Sequence, residues 1–244
     1  MNTDRGKVYL VGAGPGDPGL LTLRGKEVLE RADVVVYDAL ISERILDHAP
    51  AGAERIYVGK RAGEHSMPQE AISRLLVDLA RQGKTVVRLK GGDPFFFGRG
   101  GEEALALAEA GVAWEVVPGV TAGVAAAASA GIPVTHRGLA GCAGFVTGHA
   151  AEGEESTPPD WASLAAWKGT LCFYMGLGNL PVICRELIAH GLAGGTPAAV
   201  VHWGTTPRQR VVAATLADLP AAAEAAKVEP PALIVVGAVV ALRE

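Results

Sequence analysis

Cysteine is scarce in this chain, and the few thiols present are not spaced for a shared role. The 244 residues include three cysteines, Cys142, Cys172 and Cys184, and no two of them form a CxxC pair. Disulfide frameworks and zinc sites need paired or closely spaced thiols. The histidines are scattered as well. We therefore expect isolated reduced thiols, a cytoplasmic protein and no metal site.

Excess positive charge and long apolar runs are also missing. The net charge is −4 and the sequence pI is near 5.9, whereas nucleic-acid binders usually carry an excess of basic residues. No apolar run is long and continuous enough to span a bilayer, and residues 1–4 lack the apolar core of a signal peptide. With 49% hydrophobic and 20% charged residues, the composition is that of a globular protein. We expect neither a nucleic-acid partner nor a membrane partner.

In the first half of the chain, short β-branched runs alternate with Ala- and Leu-rich stretches. The runs predict strands over 7–12, 33–37, 55–58, 85–90 and 113–117, and the stretches predict helices over 20–31, 43–48, 68–82 and 99–110. Gly83 and Gly111 stand where helix-terminating glycines belong. Such alternation with near-continuous apolar strands predicts a mainly parallel sheet covered on both faces.

The second half has a different pattern. A helix over 121–130 is predicted first, followed by strands over 144–148, 170–175, 198–203, 209–214 and 231–237 and helices over 180–190 and 216–226. The fold class predicted for the whole chain is α/β, with two α/β domains over residues 1–118 and 119–244. Because clefts between domains are common ligand sites, we expect the active site there.

The loop after the fourth predicted strand has an unusual composition. Residues 91–101 contain five glycines (Gly91, Gly92, Gly98, Gly100 and Gly101), Asp93, Pro94 and three consecutive phenylalanines, Phe95, Phe96 and Phe97. Glycine lets the backbone approach a ligand closely, and phenylalanine supplies apolar surface. The loop could form a pocket for a ligand with flat and polar parts. It could equally be a strand-to-helix turn whose phenylalanines fill the core.

The first turn, residues 11–19, invites a dinucleotide-binding interpretation that fails in detail. It follows a strand, precedes a helix and is followed by Asp38 at the end of the next strand. However, Asp17 occupies the position of the third glycine, and Pro15 and Pro18 remove two backbone N–H groups that would face a pyrophosphate. The turn favours binding of some other ligand.

Several motifs together resemble the tetrapyrrole methylases, end to end and in the expected order. They are residues 11–18 (VGAGPGDP), 36–42 (VYDALIS), 58–63 (VGKRAG), 88–95 (RLKGGDPF), 118–122 (PGVTA), 131–137 (GIPVTHR) and 146–149 (VTGH). Within the family the match is nearest to the enzymes that act on uroporphyrinogen III. The resemblance implies a homodimer that uses S-adenosyl-L-methionine to methylate uroporphyrinogen III twice, at C2 and C7. The product would be precorrin-2, for cobalamin or sirohaem synthesis. No further domain is evident, so we expect the methyltransferase alone.

The resemblance also implies roles for individual residues. Asp38 would be the catalytic base and Lys60 a proton donor or electrostatic partner. Cofactor contacts would come from Pro15, Gly91, Gly92, Asp93, Phe96, Thr121, Ala122, Met175 and Gly204. Because the substrate carries many carboxylates, basic groups should bind it, with Arg61, His136 and Arg137 as the candidates.

Each of these roles has a plainer alternative. Asp38 and Asp93 could each cap a following helix, Lys60 could be a solvated lysine, and Met175 could fill the core. Other functions also stay open at this point. They are methylation of a later precorrin, an NAD-dependent reaction, and ligand binding without catalysis.

Overall fold

The protein was analysed as a computed structural model that describes residues 6–59, 67–148 and 159–243. The chain divides into two compact units, Met1–Thr121 and Ala122–Glu244. The domain boundary predicted after Pro118 lies three residues before this division. It stays a prediction. Throughout the described ranges, no helix is both long and apolar enough to cross a membrane.

Unit 1 is built on a five-stranded parallel sheet with the strand order β3-β2-β4-β1-β5. The strands are β1 (Lys7–Gly12), β2 (Val34–Tyr37), β3 (Glu54–Tyr57), β4 (Thr85–Lys90) and β5 (Ala113–Val117). The helices are α1 (Leu23–Leu29), α2 (Glu43–Leu46), α3 (Gln69–Arg81) and α4 (Gly100–Glu109). The parallel sheet predicted for the first half is therefore confirmed.

Alternating side chains cover the two faces of this sheet with separate cores. Val8, Leu10, Val34, Val36 and Val86 form one core with buried residues of α3 and α4. The next residues along the strands form a second core with residues of α1 and α2. A strand points successive side chains to opposite faces, so apolar residues at nearly every position predict burial on both faces.

The first helix of unit 1 begins later than predicted. A short 3-10 turn, Pro18–Leu20, follows the first turn, and α1 starts only after Thr22. The Thr22 side chain accepts a hydrogen bond from Gly25 N at 3.0 Å and caps the helix. Threonine is a favourable N-cap because its oxygen satisfies a free N–H of the first helical turn. The prediction from Ala- and Leu-rich composition did not include this cap.

Unit 2 is built on a sheet with the strand order β6-β7-β10-β8-β9, in which only β6 and β7 are parallel. The strands are β6 (Ala143–Thr147), β7 (Thr170–Tyr174), β8 (Pro197–His202), β9 (Arg210–Thr215) and β10 (Ala232–Val236). The helices are α5 (Ala122–Ser129), α6 (Trp161–Ala165), α7 (Leu180–Ala189) and α8 (Leu219–Ala225). The sequence analysis missed α6, although Asp160 caps it by accepting from Ser163 N at 3.0 Å.

Candidate active site

The loops that follow the strands of unit 1 meet at the carboxyl edge of the parallel sheet, where ligands bind in folds of this kind. The first turn and the loop after β4 are joined by two backbone hydrogen bonds. Gly92 N donates to Gly14 O at 2.7 Å, and Gly14 N donates to Gly92 O at 3.1 Å. Pro15, a predicted cofactor contact, is partly buried in the turn that these bonds hold.

Glycines let the loops after β1, β4 and β5 pack backbone against backbone. A Cβ atom on Gly12 would lie 2.5 Å from Gly119 Cα and 2.6 Å from Gly92 O. A Cβ on Gly119 would press against the same Gly92 oxygen. Real Cβ atoms do not approach backbone this closely, so a larger residue would push the three loops apart. Gly91, by contrast, lies beside Leu40 with ordinary spacing.

Asp93 ties the loop after β4 to the loop after β5. Its carboxylate accepts hydrogen bonds from Phe95 N at 2.8 Å and from Gly119 N at 2.9 Å. The helix-capping alternative for this residue is wrong, because α4 begins at Gly100 and its N-cap is Arg99. Asp93 therefore fixes the geometry of the edge through backbone contacts.

Asp38 follows β2 at the same edge and is held by an arginine. Arg88 Nη2 donates to both carboxylate oxygens of Asp38, at 2.8 and 2.9 Å. The Asp38 side chain is 31% exposed, whereas that of Arg88 is 2% exposed. The capping alternative for Asp38 is wrong as well, since the N-cap of α2 is Ser42. Arg88 thus holds the Asp38 carboxylate in place, and part of the Asp38 side chain remains exposed to solvent.

Arg88 belongs to a buried charge network that the sequence analysis missed. Oε1 of Glu103, a fully buried residue in the first turn of α4, accepts from Arg88 Nε, Lys90 Nζ and Gln69 Nε2, each at 3.1 Å. Glu103 Oε2 has no hydrogen-bond partner among the described residues. Burial, together with the charge of Arg88, lowers the pKa of the Lys90 ammonium. The sequence feature that could have predicted the network is the pair Arg88 and Lys90, two positions apart in the largely apolar strand β4.

The phenylalanines of the loop after β4 do not fill the core. Phe95 is 54% exposed and Phe97 is exposed as well, while Phe96 is partly buried. The rings of Phe96 and Phe97 meet edge to face with their centroids 5.2 Å apart. The core-filling alternative is therefore wrong for Phe95 and Phe97. Phe95 and Phe97 therefore present apolar surface to solvent.

Unit 2 presents a second group of predicted cofactor residues. Met175 directly follows β7, is 56% exposed and has a φ of 52°, so the core-filling alternative for it is wrong. Gly204 packs against Ala126 of α5 with no room for a Cβ atom. Ala122 is the first residue of α5, and Thr121, the last residue of unit 1, directly precedes it.

The basic residues predicted to bind substrate fall into two groups. His136 and Arg137 are exposed in a short turn of unit 2 that is closed by hydrogen bonds between His136 and Ala140. Arg61, the third candidate for substrate binding, and Lys60, the predicted proton donor or electrostatic partner, lie outside the described residues. Arg208 is a further basic residue of unit 2. Its guanidinium carbon, Cζ, lies 3.4 Å from the centroid of the Trp203 ring.

The His, Cys, Asp and Glu side chains of the described residues are dispersed. Across residues 6–59, 67–148 and 159–243, no group of three or more His, Cys, Asp or Glu side chains is placed to hold a metal ion. The buried thiols are also unsuited to reaction, because burial raises the pKa of Cys172 to about 12 and that of Cys184 to about 11.

A parallel sheet with glycine-lined loops, and an aspartate held by an arginine at its carboxyl edge, define an α/β protein with a candidate ligand site on unit 1. Comparison with known proteins then identifies its family. The model of the tetrapyrrole (corrin/porphyrin) methylases matches residues 7–220. The chain belongs to this family, as the sequence motifs predicted.

Individual relatives agree with this assignment. Siroheme synthase of Pseudomonas putida is 57% identical over 98% of this chain. The match covers 51% of that protein, so the chain spans about half the length of the curated relatives it matches.

Solved structures share the fold of the whole chain. Uroporphyrin III C-methyl transferase from Thermus thermophilus is 46% identical, with a TM-score of 0.81 over 97% of this chain and 99% of that one. The same enzyme complexed with S-adenyl homocysteine is 45% identical, with a TM-score of 0.80 over 96% and 93% of the two chains. A cobalt precorrin-4 methyltransferase is 34% identical, with a TM-score of 0.84 over 96% and 95%. The predicted α/β class with two domains is confirmed.

Proposed function

We propose that this tetrapyrrole methylase transfers two methyl groups from S-adenosyl-L-methionine to uroporphyrinogen III, at C2 and C7, to give precorrin-2. The observation that carries the proposal is the 46% identity with a uroporphyrin III C-methyl transferase over nearly the full length of both chains. Fold similarity alone does not separate the candidates, because the precorrin-4 enzyme has the slightly higher TM-score. Sequence identity over the chain is higher with the uroporphyrin III enzyme, at 46%, than with the precorrin-4 enzyme, at 34%, and it favours uroporphyrinogen III.

The reaction needs positioning and one base. A pyrrole carbon attacks the sulfonium methyl group, a carbon–carbon bond forms, the sulfur–carbon bond breaks and S-adenosylhomocysteine leaves. Alignment and exclusion of water supply much of the rate. The methylated macrocycle then carries a positive charge, which loss of a proton to a carboxylate relieves. We assign this proton to Asp38, whose carboxylate is fixed but part-exposed. Lys60 is the proposed proton donor or electrostatic partner.

The carboxyl edge of unit 1 fits the cofactor chemically. S-adenosyl-L-methionine has a flat base, a ribose and a charged amino-acid part, and it supplies the electrophilic methyl group. We propose that Gly91 and Gly92 offer backbone groups to it and that Phe96 lies beside its apolar part. The further proposed contacts are Pro15, Asp93, Thr121, Ala122, Met175 and Gly204.

The cellular setting is proposed from the same relatives. We propose a cytoplasmic homodimer, with precorrin-2 passing to cobalamin or sirohaem synthesis. The siroheme synthase relatives are about twice as long as the match to this chain. The proposal for this chain is therefore limited to the methyl transfer and does not extend to the whole activity of siroheme synthase.

Anaerobic incubation with uroporphyrinogen III and S-adenosyl-L-methionine tests the proposal. We expect mass spectrometry to detect a tetrapyrrole that carries two added methyl groups. Methylation of a later precorrin without turnover of uroporphyrinogen III would instead identify a different methylase. Thermal unfolding with each ligand tests the nicotinamide alternative. An increase in Tm with NADH and none with S-adenosylhomocysteine would contradict the cofactor assignment.

Replacement of Arg137 tests the proposed carboxylate contact. The Arg137→Ala variant should raise the KM for uroporphyrinogen III by about tenfold to a hundredfold, since a hydrogen bond to a charged group is worth about 1.5–3 kcal/mol. The Kd for S-adenosylhomocysteine should change less than twofold. Arg185 is an exposed arginine of α7 in the same unit. The matched control, Arg185→Ala, should leave the KM for uroporphyrinogen III and the Kd for S-adenosylhomocysteine unchanged. An unaltered KM in the Arg137 variant removes that residue from substrate binding.

A further inference from the structure

We propose that Arg88 is a positioning residue for methyl transfer and acts on the reaction through Asp38. The inference rests on the proposed role of Asp38 as the base. Arg88 itself cannot touch a substrate or cofactor at the surface, because its side chain is only 2% exposed. Its effect on the reaction must therefore pass through a neighbour, and Asp38 is the part-exposed group that it holds.

The guanidinium of Arg88 is fixed on every side. Nη2 donates to both oxygens of Asp38, Nε donates to Glu103 Oε1 at 3.1 Å, and Nη1 donates to Leu89 O at 3.3 Å. A planar group with all three nitrogens bonded has one orientation, and the carboxylate that it holds inherits that orientation. A lysine offers a point charge without this fixed plane.

Glu103 anchors the arginine from the opposite side. It is fully buried and also accepts from Lys90 Nζ. A buried charge is costly unless it is paired and hydrogen-bonded. The order Asp38, Arg88, Glu103, Lys90 alternates negative and positive groups, so the charges balance in pairs. The fold therefore maintains a buried ionic network whose exposed end is the proposed base.

The location of the network in the sheet supports this role. Arg88 and Lys90 are two residues apart on β4 and point to the α3/α4 face, where they meet Glu103 of α4. Val36 of the neighbouring strand pairs with Arg88 in register, which brings Asp38, two residues later, above the guanidinium. The register of β2 against β4 therefore places the proposed base beside the guanidinium.

A double-mutant cycle between positions 88 and 38 tests the inference. In the active protein, Arg88→Met should lower kcat by about tenfold or more, while the KM for S-adenosyl-L-methionine and the Kd for S-adenosylhomocysteine change less than twofold. Arg88→Lys should recover part of the loss. In the Asp38→Asn background, Arg88→Met should lower the residual rate less than twofold, because the group through which Arg88 acts is already gone.

Controls separate positioning from stability. Leu107→Ala removes a buried side chain of α4 on the same face of the sheet, lowers Tm and should leave kcat within twofold at temperatures where the variant is folded. If Arg88→Met does not fold, the cycle is run with Arg88→Lys, which retains the buried charge.

Three results would overturn the inference. The first is an unchanged kcat in the Arg88 variants. The second is a double variant at positions 88 and 38 whose fold-loss in kcat equals the product of the two single losses. The third is an Arg88 variant in which only the affinity for the cofactor changes. Absence of turnover of uroporphyrinogen III by the unaltered protein is a separate outcome, which rejects the proposed function itself.

Discussion

Asp38→Asn is expected to lower kcat by about 10³-fold, within the range of general acid–base effects, while S-adenosylhomocysteine still binds. Asparagine keeps the size of the side chain but cannot take up the proton that the methylated macrocycle must lose. Asp38 is not among the proposed cofactor contacts, so the affinity for S-adenosylhomocysteine should change little. Steady-state kinetics under anaerobic conditions and calorimetric titration with S-adenosylhomocysteine measure the two quantities.

The control for this experiment is Asp47→Asn. Asp47 is an exposed residue at the end of α2, in the same unit. It has no proposed role in the reaction, so its variant should retain full kcat. Full activity in the Asp38→Asn variant would show that another group accepts the proton. A parallel loss of cofactor binding would indicate a structural defect in place of a chemical one.

Gly119→Ala is expected to reduce the free energy of unfolding by about 3 kcal/mol, in the upper range for overpacked sites. The new Cβ would meet Gly92 O and the backbone of Gly12, neither of which can move as a flexible side chain does. The hydrogen bond from Gly119 N to Asp93 would be strained by the same displacement. Urea denaturation measures the stability. The Kd for S-adenosylhomocysteine should rise as well, because Gly92 is a proposed cofactor contact.

Gly101→Ala provides the matched control. Gly101 lies in α4, and a Cβ atom added there would meet nothing within 4 Å. Alanine is a better helix former than glycine by about 1 kcal/mol, so this variant should be as stable as the parent or slightly more so. A Gly119→Ala variant that loses less than about 1 kcal/mol would contradict the prediction, because the three loops could then make room for the Cβ atom at little cost in stability.

Strand positions in unit 1 could be predicted well, and the reason is local. The bounds of β1, β4 and β5 agree with the prediction at both ends. Each contains β-branched residues and has a glycine or a proline directly beside it, namely Gly6, Gly91 and Pro118, so the signal is local in the sequence. Helix starts were predicted less well. The beginning of α1 depends on the Thr22 cap, and α6 is only five residues long, which is too short for a periodic signal.

The loops of the site were partly predictable. Their glycines, Asp38 and Asp93 stand out in the sequence because they follow buried strands, and parallel strands bring such residues to one edge. What each aspartate binds was not predictable. Asp93 reaches Gly119 across 26 positions and Asp38 reaches Arg88 across 50. Capping of the nearest helix was the local alternative for both residues, and it was wrong for both.

By itself, the sequence determined the α/β class, the parallel sheet of unit 1, the family and the glycine-rich loops, because each depends on residue type, order and short-range spacing. Only the tertiary structure decided which groups those loops contact. It showed that Phe95 and Phe97 are exposed, that Gly12, Gly92 and Gly119 touch, and that Asp38 is held by Arg88 over Glu103. Those contacts join β2, β4 and α4, and they exist only once the sheet is assembled and the helix packs on its face.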